Sequence, residues 1–351
     1  MHGHHRSRRL AFPLLGPAAL FIVVLALSLL GGCAPGPDPP ATVRLPAAAA
    51  AHAAGAGPSA EVPTEALAPL DPPSLEQGLL PTPSPTPRPT ATPTPSPPLL
   101  VRELPPPRIT AEMAVVLDEA SGAVLYGVNE HEEVAPASLT KIVTAMVAIE
   151  LGRPSARVTT DVDSRVMWDS TVMGLVPGEE VSLEDLLYGI MLPSGNDAAI
   201  AIARYIAGNE RIFAELMNAK VRQLGLQHTH FVNPHGLEEP GHYSSAYDMA
   251  MLARAAMRDP YFRQLAAAKE WRASGLLRSY RMVNLNRLLW QYPGADGVKI
   301  GYEDTALNTM VVSATRDGHR IYASFMRSRS RDADGTALLD YAFNAYAWPG
   351  S

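Results

Sequence analysis

The sequence predicts an α+β domain. One antiparallel sheet is assembled from both ends of the domain, and a helical region is inserted between them. Three observations carry this. Met113–Leu117 (MAVVL) and Ala123–Tyr126 (AVLY) flank Glu119-Ala120-Ser121-Gly122, which reads as a β-hairpin. Asn308–Thr315 and Arg320–Met326 flank Asp317-Gly318, a strong turn signal between two more strands. The residues between these pairs carry helical patterns. The 351 residues allow one large domain or two ordinary ones, and 47% hydrophobic residues suffice for a core. A net charge of -6 gives no support for nucleic-acid binding.

In chain order, residues 1–33 read as a targeting segment. Arg6, Arg8 and Arg9 form a basic region, Leu10–Leu30 is apolar, and the run ends in Leu30-Gly31-Gly32-Cys33. This resembles a bacterial lipoprotein signal, in which Cys33 becomes the lipidated first residue. The alternative is a simple transmembrane anchor, because the apolar run is nearly long enough to span. Either reading puts the rest of the chain outside the cytoplasmic membrane. Cys33 is the only cysteine, so no disulfide forms within one chain. The early His2-Gly3-His4-His5 run is read as part of the basic region rather than a metal site. Residues 34–107 are a Pro-, Ala- and Thr-rich linker. Residues 81–98 (PTPSPTPRPTATPTPSPP) favour polyproline II and reach roughly 55 Å at about 3.1 Å per residue. A stalk and passive disorder both fit that composition.

Residues 108–351 form the folded domain. After the first hairpin, Pro136 suits the first turn of a helix that Gly152 and Pro154 end. Ser182-Leu183-Glu184-Asp185 is a capping box opening a helix that runs to Leu192, before Pro193. Further helices fit Asp197–Ile206, Ile212–Leu224, Ser245–Met257 and Asp332–Ala347.

The helix after Pro136 raises a chemical question. From Val134 to Ile149 the only charge is Lys141, and apolar residues fall on nearly every side. The helix should therefore be buried. The residues three and four away from Lys141 are Ala137, Ser138, Thr144 and Ala145, so it has no acidic partner on the helix. Burial lowers a lysine pKa, and a neutral amine one turn from a serine can act as its base. The bland reading is a snorkelling lysine. Two more motifs follow. Ser194-Gly195-Asn196 sits on a tight loop before a helix, where capping alone would account for it. Lys299-Ile300-Gly301 has apolar flanks and glycines that let a ligand approach, with an edge-strand lysine as the plain alternative.

In that order, S-x-x-K, S-x-N and K-x-G resemble the active-site set of penicillin-binding proteins and serine β-lactamases. PASLTKIVTAMVAIE, LLYGIMLPSGNDAAIAIARYIAG, FAELMNAKVRQLGLQHTHFVNPHGL, HYSSAYDMAMLARAAM and NLNRLLWQYPGADGVKIGY are similar to the low-molecular-weight D-alanyl-D-alanine carboxypeptidases, over about residues 108 to 345. The resemblance implies a β-lactamase/transpeptidase-like fold of the penicilloyl-serine transferase superfamily. It implies Ser138 as nucleophile, Lys141 as its base, Ser194 passing a proton to the leaving amine and Asn196 contacting the substrate amide. Lys299, Ile300, Gly301 and Tyr302 would bind substrate, with Lys299 near its carboxylate. The backbone N–H groups of Ser138 and Tyr302 would form the oxyanion hole. The implied partner is a peptidoglycan stem peptide ending in D-Ala-D-Ala, with β-lactam antibiotics as covalent inhibitors and no metal or cofactor.

The sequence also departs from the family. Lys-Thr-Gly is replaced by Lys299-Ile300-Gly301, and Ile300 cannot donate to a carboxylate. A hydrogen bond to a charged group is worth about 1.5–3 kcal/mol, so a loss of roughly ten- to a hundredfold is expected. Glu303 adds negative charge nearby, and Thr305 and Thr309 are candidates to compensate. Many relatives carry an extra β-domain and a C-terminal amphipathic anchor; with the sequence ending at Ser351, the N-terminal lipid is expected to take the anchor's place. Three alternatives stand beside the carboxypeptidase. One is a D,D-endopeptidase using the same residues. Another is a catalytically weak wall-binding module, which Ile300 and Glu303 support. The third, a β-lactamase, would need Glu215-Leu216-Met217-Asn218 to supply its deacylation pair, but that segment reads as packing and surface. His235, His242 and Asp248 read as ordering loops and helix starts. His228 and His230 lack a metal-ligating partner at suitable spacing. Trp271, Trp290 and Trp348 read as packing rather than sugar platforms.

Overall fold

The computed structural model describes residues 95–349. The expected targeting segment, Cys33 and most of the linker lie outside the described residues. Among the described residues no helix is long and apolar enough to cross a membrane.

The chain begins with β1 (Leu99–Leu100), β2 (Met113–Asp118) and β3 (Val124–Val128). A 3-10 turn (Ala137–Thr140) leads into α1 (Lys141–Leu151), followed by β4 (Arg157–Thr160), a second 3-10 turn (Ser164–Val166) and β5 (Glu179–Ser182). Helices α2 (Leu183–Met191), α3 (Asn196–Ala207), α4 (Glu210–Gln223), α5 (Ala246–Ala256) and α6 (Pro260–Ala267) come next. Then come β6 (Glu270–Ser274), β7 (Ser279–Val283), α7 (Leu288–Gln291), β8 (Ala295–Glu303), β9 (Leu307–Arg316) and β10 (His319–Ser328). Helix α8 (Arg331–Ala345) and β11 (Tyr346–Ala347) close the domain.

The main sheet has the order β3-β2-β10-β9-β8 and every pairing in it is antiparallel. Both ends of the domain thus build it, as the sequence predicts. The continuous apolar run in β2 follows from its central place, because both of its faces are covered. Met113, Val115 and Leu117 enter a large core with Leu139, Ile142 and the inserted helices. Ala114 and Val116 enter a smaller core with Leu338, Leu339 and Ala342 of α8. The capping box at Ser182 and Asp185 is present at the start of α2. Strand β8 lies at the sheet edge, leaving one side open beside the 3-10 turn.

Several expectations are corrected. The linker was expected to run to residue 107, but Leu99 and Leu100 pair with Ala347 and Tyr346. Ordered pairing therefore begins inside the expected linker, and the same pairing ends α8 at Ala345, before the expected Ala347. The helix expected from Pro136 is split. Ala137 adopts a left-handed φ of 50°, which a regular right-handed helix does not contain, and α1 begins only at Lys141, after the 3-10 turn. The β4–β5 and β6–β7 hairpins, and α6, were not anticipated. Their strands are short and half exposed, with charged residues on the outer face. A 3-10 turn and an extended loop separate β4 from β5, so no tight-turn signal joins them.

Candidate active site

Three elements converge at the edge of the sheet. The 3-10 turn and the start of α1 bring Ser138 and Lys141. The loop between α2 and α3 brings Ser194 and Asn196. Strand β8 brings Lys299, Ile300, Gly301 and Tyr302. Every one of these belongs to the set singled out in the sequence, and the fold collects them around one cavity of about 460 Å³ or directly behind it.

Lys141 is fully buried, at 0% exposure. Its Nζ donates to Asn196 Oδ1 at 2.6 Å and to the His235 backbone carbonyl at 2.6 Å, and lies 2.8 Å from Ser138 Oγ. Burial, then the positive charge of Lys299, holds its pKa well below the ordinary lysine value; Glu303 and Asp197 act in the opposite direction. In its neutral form the amine has two N–H donors and one lone pair. A carbonyl oxygen can only accept, so Asn196 and His235 take both donors. The lone pair then faces the hydroxyl of Ser138. The amide of Asn196 is oriented independently, because its Nδ2 donates to Ser170 Oγ.

Lys299 makes a second hydroxyl–amine pair. Its Nζ donates to Ser194 Oγ at 2.9 Å and to the Ile300 carbonyl at 2.9 Å. Burial, with the charge of Arg331, lowers its pKa to about 7. Arg287 and Arg331 line the cavity together with Ile300. Ile300 itself is 8% exposed and packs into the smaller core. Neither threonine expected to compensate is free to do so. Thr305 donates to Glu238 at 2.6 Å, and buried Thr309 donates to the Pro136 carbonyl at 3.0 Å. Among the described residues, these two arginines are the cations that line the cavity.

Side chains alternate along a strand, so Lys299, Gly301 and Glu303 share a face of β8. A Cβ on Gly301 would sit 2.9 Å from the backbone nitrogen of Ser138. That face therefore looks onto the turn carrying Ser138. Burial raises the Glu303 carboxyl pKa, Lys141 draws it down, and Asp304, Glu238 and Asp169 raise it further.

The turn bearing Ser138 is held from behind. Val232 N–H donates to His242 Nδ1 at 3.1 Å, which leaves the proton of the neutral ring on Nε2. Nε2 then donates to Thr140 Oγ1 at 2.8 Å, and Thr140 donates to the Ala137 carbonyl at 2.9 Å. Burial, first of all, lowers the His242 pKa to about 4, which keeps this chain in its neutral form. Ala137 and Ser194 both take left-handed φ values, of 50° and 63°. These conformations are uncommon for residues with a Cβ and flank the two hydroxyls of the site.

A model of the D-alanyl-D-alanine carboxypeptidase family (peptidase S11) matches residues 101–330. The chain belongs to this family. D-alanyl-D-alanine carboxypeptidase DacF of Bacillus subtilis is 39% identical over 245 residues, which are 67% of this chain and 63% of that protein. DacA of Escherichia coli is 36% identical over 255 residues, 68% of this chain and 62% of its own length. The chain therefore spans less than two thirds of these two relatives. Among solved structures, the Streptomyces K15 DD-transpeptidase superposes with a TM-score of 0.65 at 30% identity, covering 69% of this chain and 100% of that one. Penicillin-binding protein 5 of Haemophilus influenzae gives 0.64 at 34% identity, covering 69% and 73%. This member of the family thus has the β-lactamase/transpeptidase-like fold that the sequence implied.

Sequence reading of this family member missed several contributors. The His235 carbonyl acts through its backbone, so no side-chain pattern announces it. Ser170 and Thr171 reach the site from a loop, through Asn196 Nδ2 and through Thr171 Oγ1 donating to the Ser194 carbonyl at 2.8 Å. Arg287 and Arg331 come from segments outside the three motifs. Glu215 is exposed, while buried Asn218 bonds the backbone N–H and carbonyl of Phe231. Their placement suits packing and surface rather than a deacylation pair. His228 faces Glu133 at 3.2 Å and His230 the Gly241 carbonyl at 2.7 Å, both away from the cavity lining.

Proposed function

We propose that the protein is a serine D,D-carboxypeptidase that removes the terminal D-Ala from peptidoglycan stem peptides. The observation that carries this is the Lys141 amine, whose two donors are consumed by Asn196 and His235 and whose lone pair meets Ser138. In this reading Ser138 Oγ attacks the penultimate D-Ala carbonyl as Lys141 takes its proton. The backbone N–H groups of Ser138 and Tyr302 receive the oxyanion. The close approach of β8 to Ser138 at Gly301 supports that role. Ser194, bonded to Lys299, relays to the departing D-Ala amine the proton that Lys141 took, so the peptide bond breaks and Lys141 is neutral again. Water then attacks the ester as the neutral Lys141 amine takes its proton, and Lys141 returns that proton to Ser138 Oγ as the ester bond breaks. Lys299, with Arg287 and Arg331 beside it, holds the substrate carboxylate, while Asn196 contacts the substrate amide. β-Lactams acylate the same serine. A lipid on Cys33 anchors the enzyme to the outer face of the cytoplasmic membrane, with the residues between Cys33 and Leu99 as the tether.

The test is D-Ala release from a stem pentapeptide, with Ser138→Ala as the control. Release by the wild type that disappears in the control supports the assignment; no release from either overturns it. A second measurement concerns Ile300. Ile300→Thr restores the donor of the family motif and is expected to raise kcat/KM about tenfold, near the lower end of a charged hydrogen bond's worth. The arginines at that end of the cavity account for the gain being at the lower end. An unchanged value would mean that they replace the donor entirely.

A further inference from the structure

Trp168 is 88% exposed. The other three tryptophans have partners within the fold. Trp271 stacks on Tyr188 at 3.8 Å between ring centroids, Trp348 stacks on His319 at 5.1 Å, and Trp290 lies under Lys269. Trp168 has no ring or hydrogen-bond partner among the described residues. Its loop is nevertheless held firmly. Asn196 Nδ2 donates to Ser170 Oγ, and Asn196 N–H donates to the Thr171 carbonyl at 2.8 Å. Buried Asp197 accepts from the N–H groups of Met173, Gly174 and Leu175 at 2.7, 2.8 and 2.9 Å. The ring therefore stands on an anchored support rather than a loose loop.

The location matters more than the exposure. Asp169, Ser170 and Thr171 line the catalytic cavity, and Trp168 directly precedes them. The backbone from Ser170 to Trp168 spans at most roughly 7 Å. A cavity of about 460 Å³ holds the terminal part of a stem peptide, so the remainder must cross its rim. Leaving Ser138 at about 3.4 Å per residue, a stem peptide is roughly 10 Å out after three residues, close to its junction with the glycan. A neutral, flat, apolar ring offers a surface for the C–H face of a pyranose, and Asp169 beside it offers an acceptor for hydroxyl groups. A peptide backbone would call instead for an exposed strand edge or a row of donors, which Trp168 does not supply.

We propose that Trp168 is a saccharide-stacking platform that recognises the glycan attached to the stem peptide. This rests on the carboxypeptidase reading, and it adds a preference for glycan-linked over free peptide. Asp169, next in sequence and part of the cavity lining, orients the sugar.

The test compares D-Ala release by the full chain from a free stem pentapeptide and from the same peptide on its disaccharide. The wild type is expected to favour the disaccharide-linked peptide by about three- to tenfold in kcat/KM, through a lower KM, as one aromatic stacking contact allows. Trp168→Ala should abolish that preference and Trp168→Phe should keep most of it. Kinetics on the free peptide should be equal in all three proteins, which also shows that the variants fold. The proposal is overturned if the wild type treats both substrates alike. A preference that survives Trp168→Ala, or an equal loss on both substrates, overturns it too. Failure to release D-Ala from the free peptide refutes the hydrolase reading, whereas a missing preference with intact release refutes the platform alone.

Discussion

Lys141→Met is expected to lower the rate of Ser138 acylation about a thousandfold, within the range that general-base catalysis supplies. Methionine has nearly the length of lysine and suits a fully buried position, so the helix keeps its packing. What disappears is the lone pair facing Ser138 Oγ at 2.8 Å. The Asn196 and His235 oxygens lose their donor, which costs about 1–3 kcal/mol of stability for an unsatisfied buried acceptor. Lys141→Arg should not rescue the activity, because a guanidinium stays charged and has no lone pair to offer. Covalent labelling by a fluorescent penicillin measures the acylation rate directly, and thermal unfolding separates it from loss of fold. Near-wild-type labelling of the methionine variant would exclude Lys141 as the base.

The same geometry sets the pH profile of kcat/KM, which reports the free enzyme. In the proposed mechanism Lys141 acts as a neutral amine, so the rate is expected to rise with pH through its lowered pKa. Lys299 acts as a cation, so kcat/KM falls again as pH climbs past its value of about 7. A bound carboxylate favours the charged form of Lys299. The fall in kcat should therefore come at higher pH than the fall in kcat/KM.

Gly236→Ala is the second large effect. Gly236 has φ of 92°, and a Cβ there would lie 2.0 Å from the carbonyl oxygen of Ala137 and 2.5 Å from its carbon. Both are backbone atoms, so no side chain can swing aside. Overpacking and a left-handed Cβ together predict a loss of about 3–5 kcal/mol. The displaced segments are the two that matter: His235 supplies the carbonyl that holds Lys141, and Ala137 precedes Ser138. Penicillin labelling should slow by about a hundredfold even at low temperature, where the variant remains folded, as expected for misplacement of reacting groups by about 1 Å. Gly225→Ala is the control. Its φ is 72° but nothing lies within 4 Å of the added Cβ, so only the backbone preference is lost and labelling should not change. Equal labelling in the two variants would show that the Gly236 contact does not position the site.

The proposed nucleophile and base, Ser138 and Lys141, were legible because their chemistry is local. Residues three apart meet in any helical turn, and the change from an α-helix to a 3-10 turn at Ala137–Thr140 brings i and i+3 more nearly into line. The strands at either end were legible from apolar runs around turn residues. The short hairpins were not, because strands as brief as Arg157–Thr160 and Glu179–Ser182 are stabilised by their partner rather than by their own residues.

The sequence alone determined which side chains could react: a lysine with no acidic neighbour near a serine, and two further motifs in family order. It also carried the loss of the threonine donor at Ile300. Only the tertiary structure decided the protonation and aim of that chemistry. A neutral Lys141 would point its lone pair at Ser138 because the Asn196 and His235 oxygens occupy its other directions, and Thr305 and Thr309 cannot replace the missing donor because each is bonded elsewhere. A backbone carbonyl has the same composition at every position, so its orientation, and the burial that neutralises an amine, exist only once distant segments have packed together.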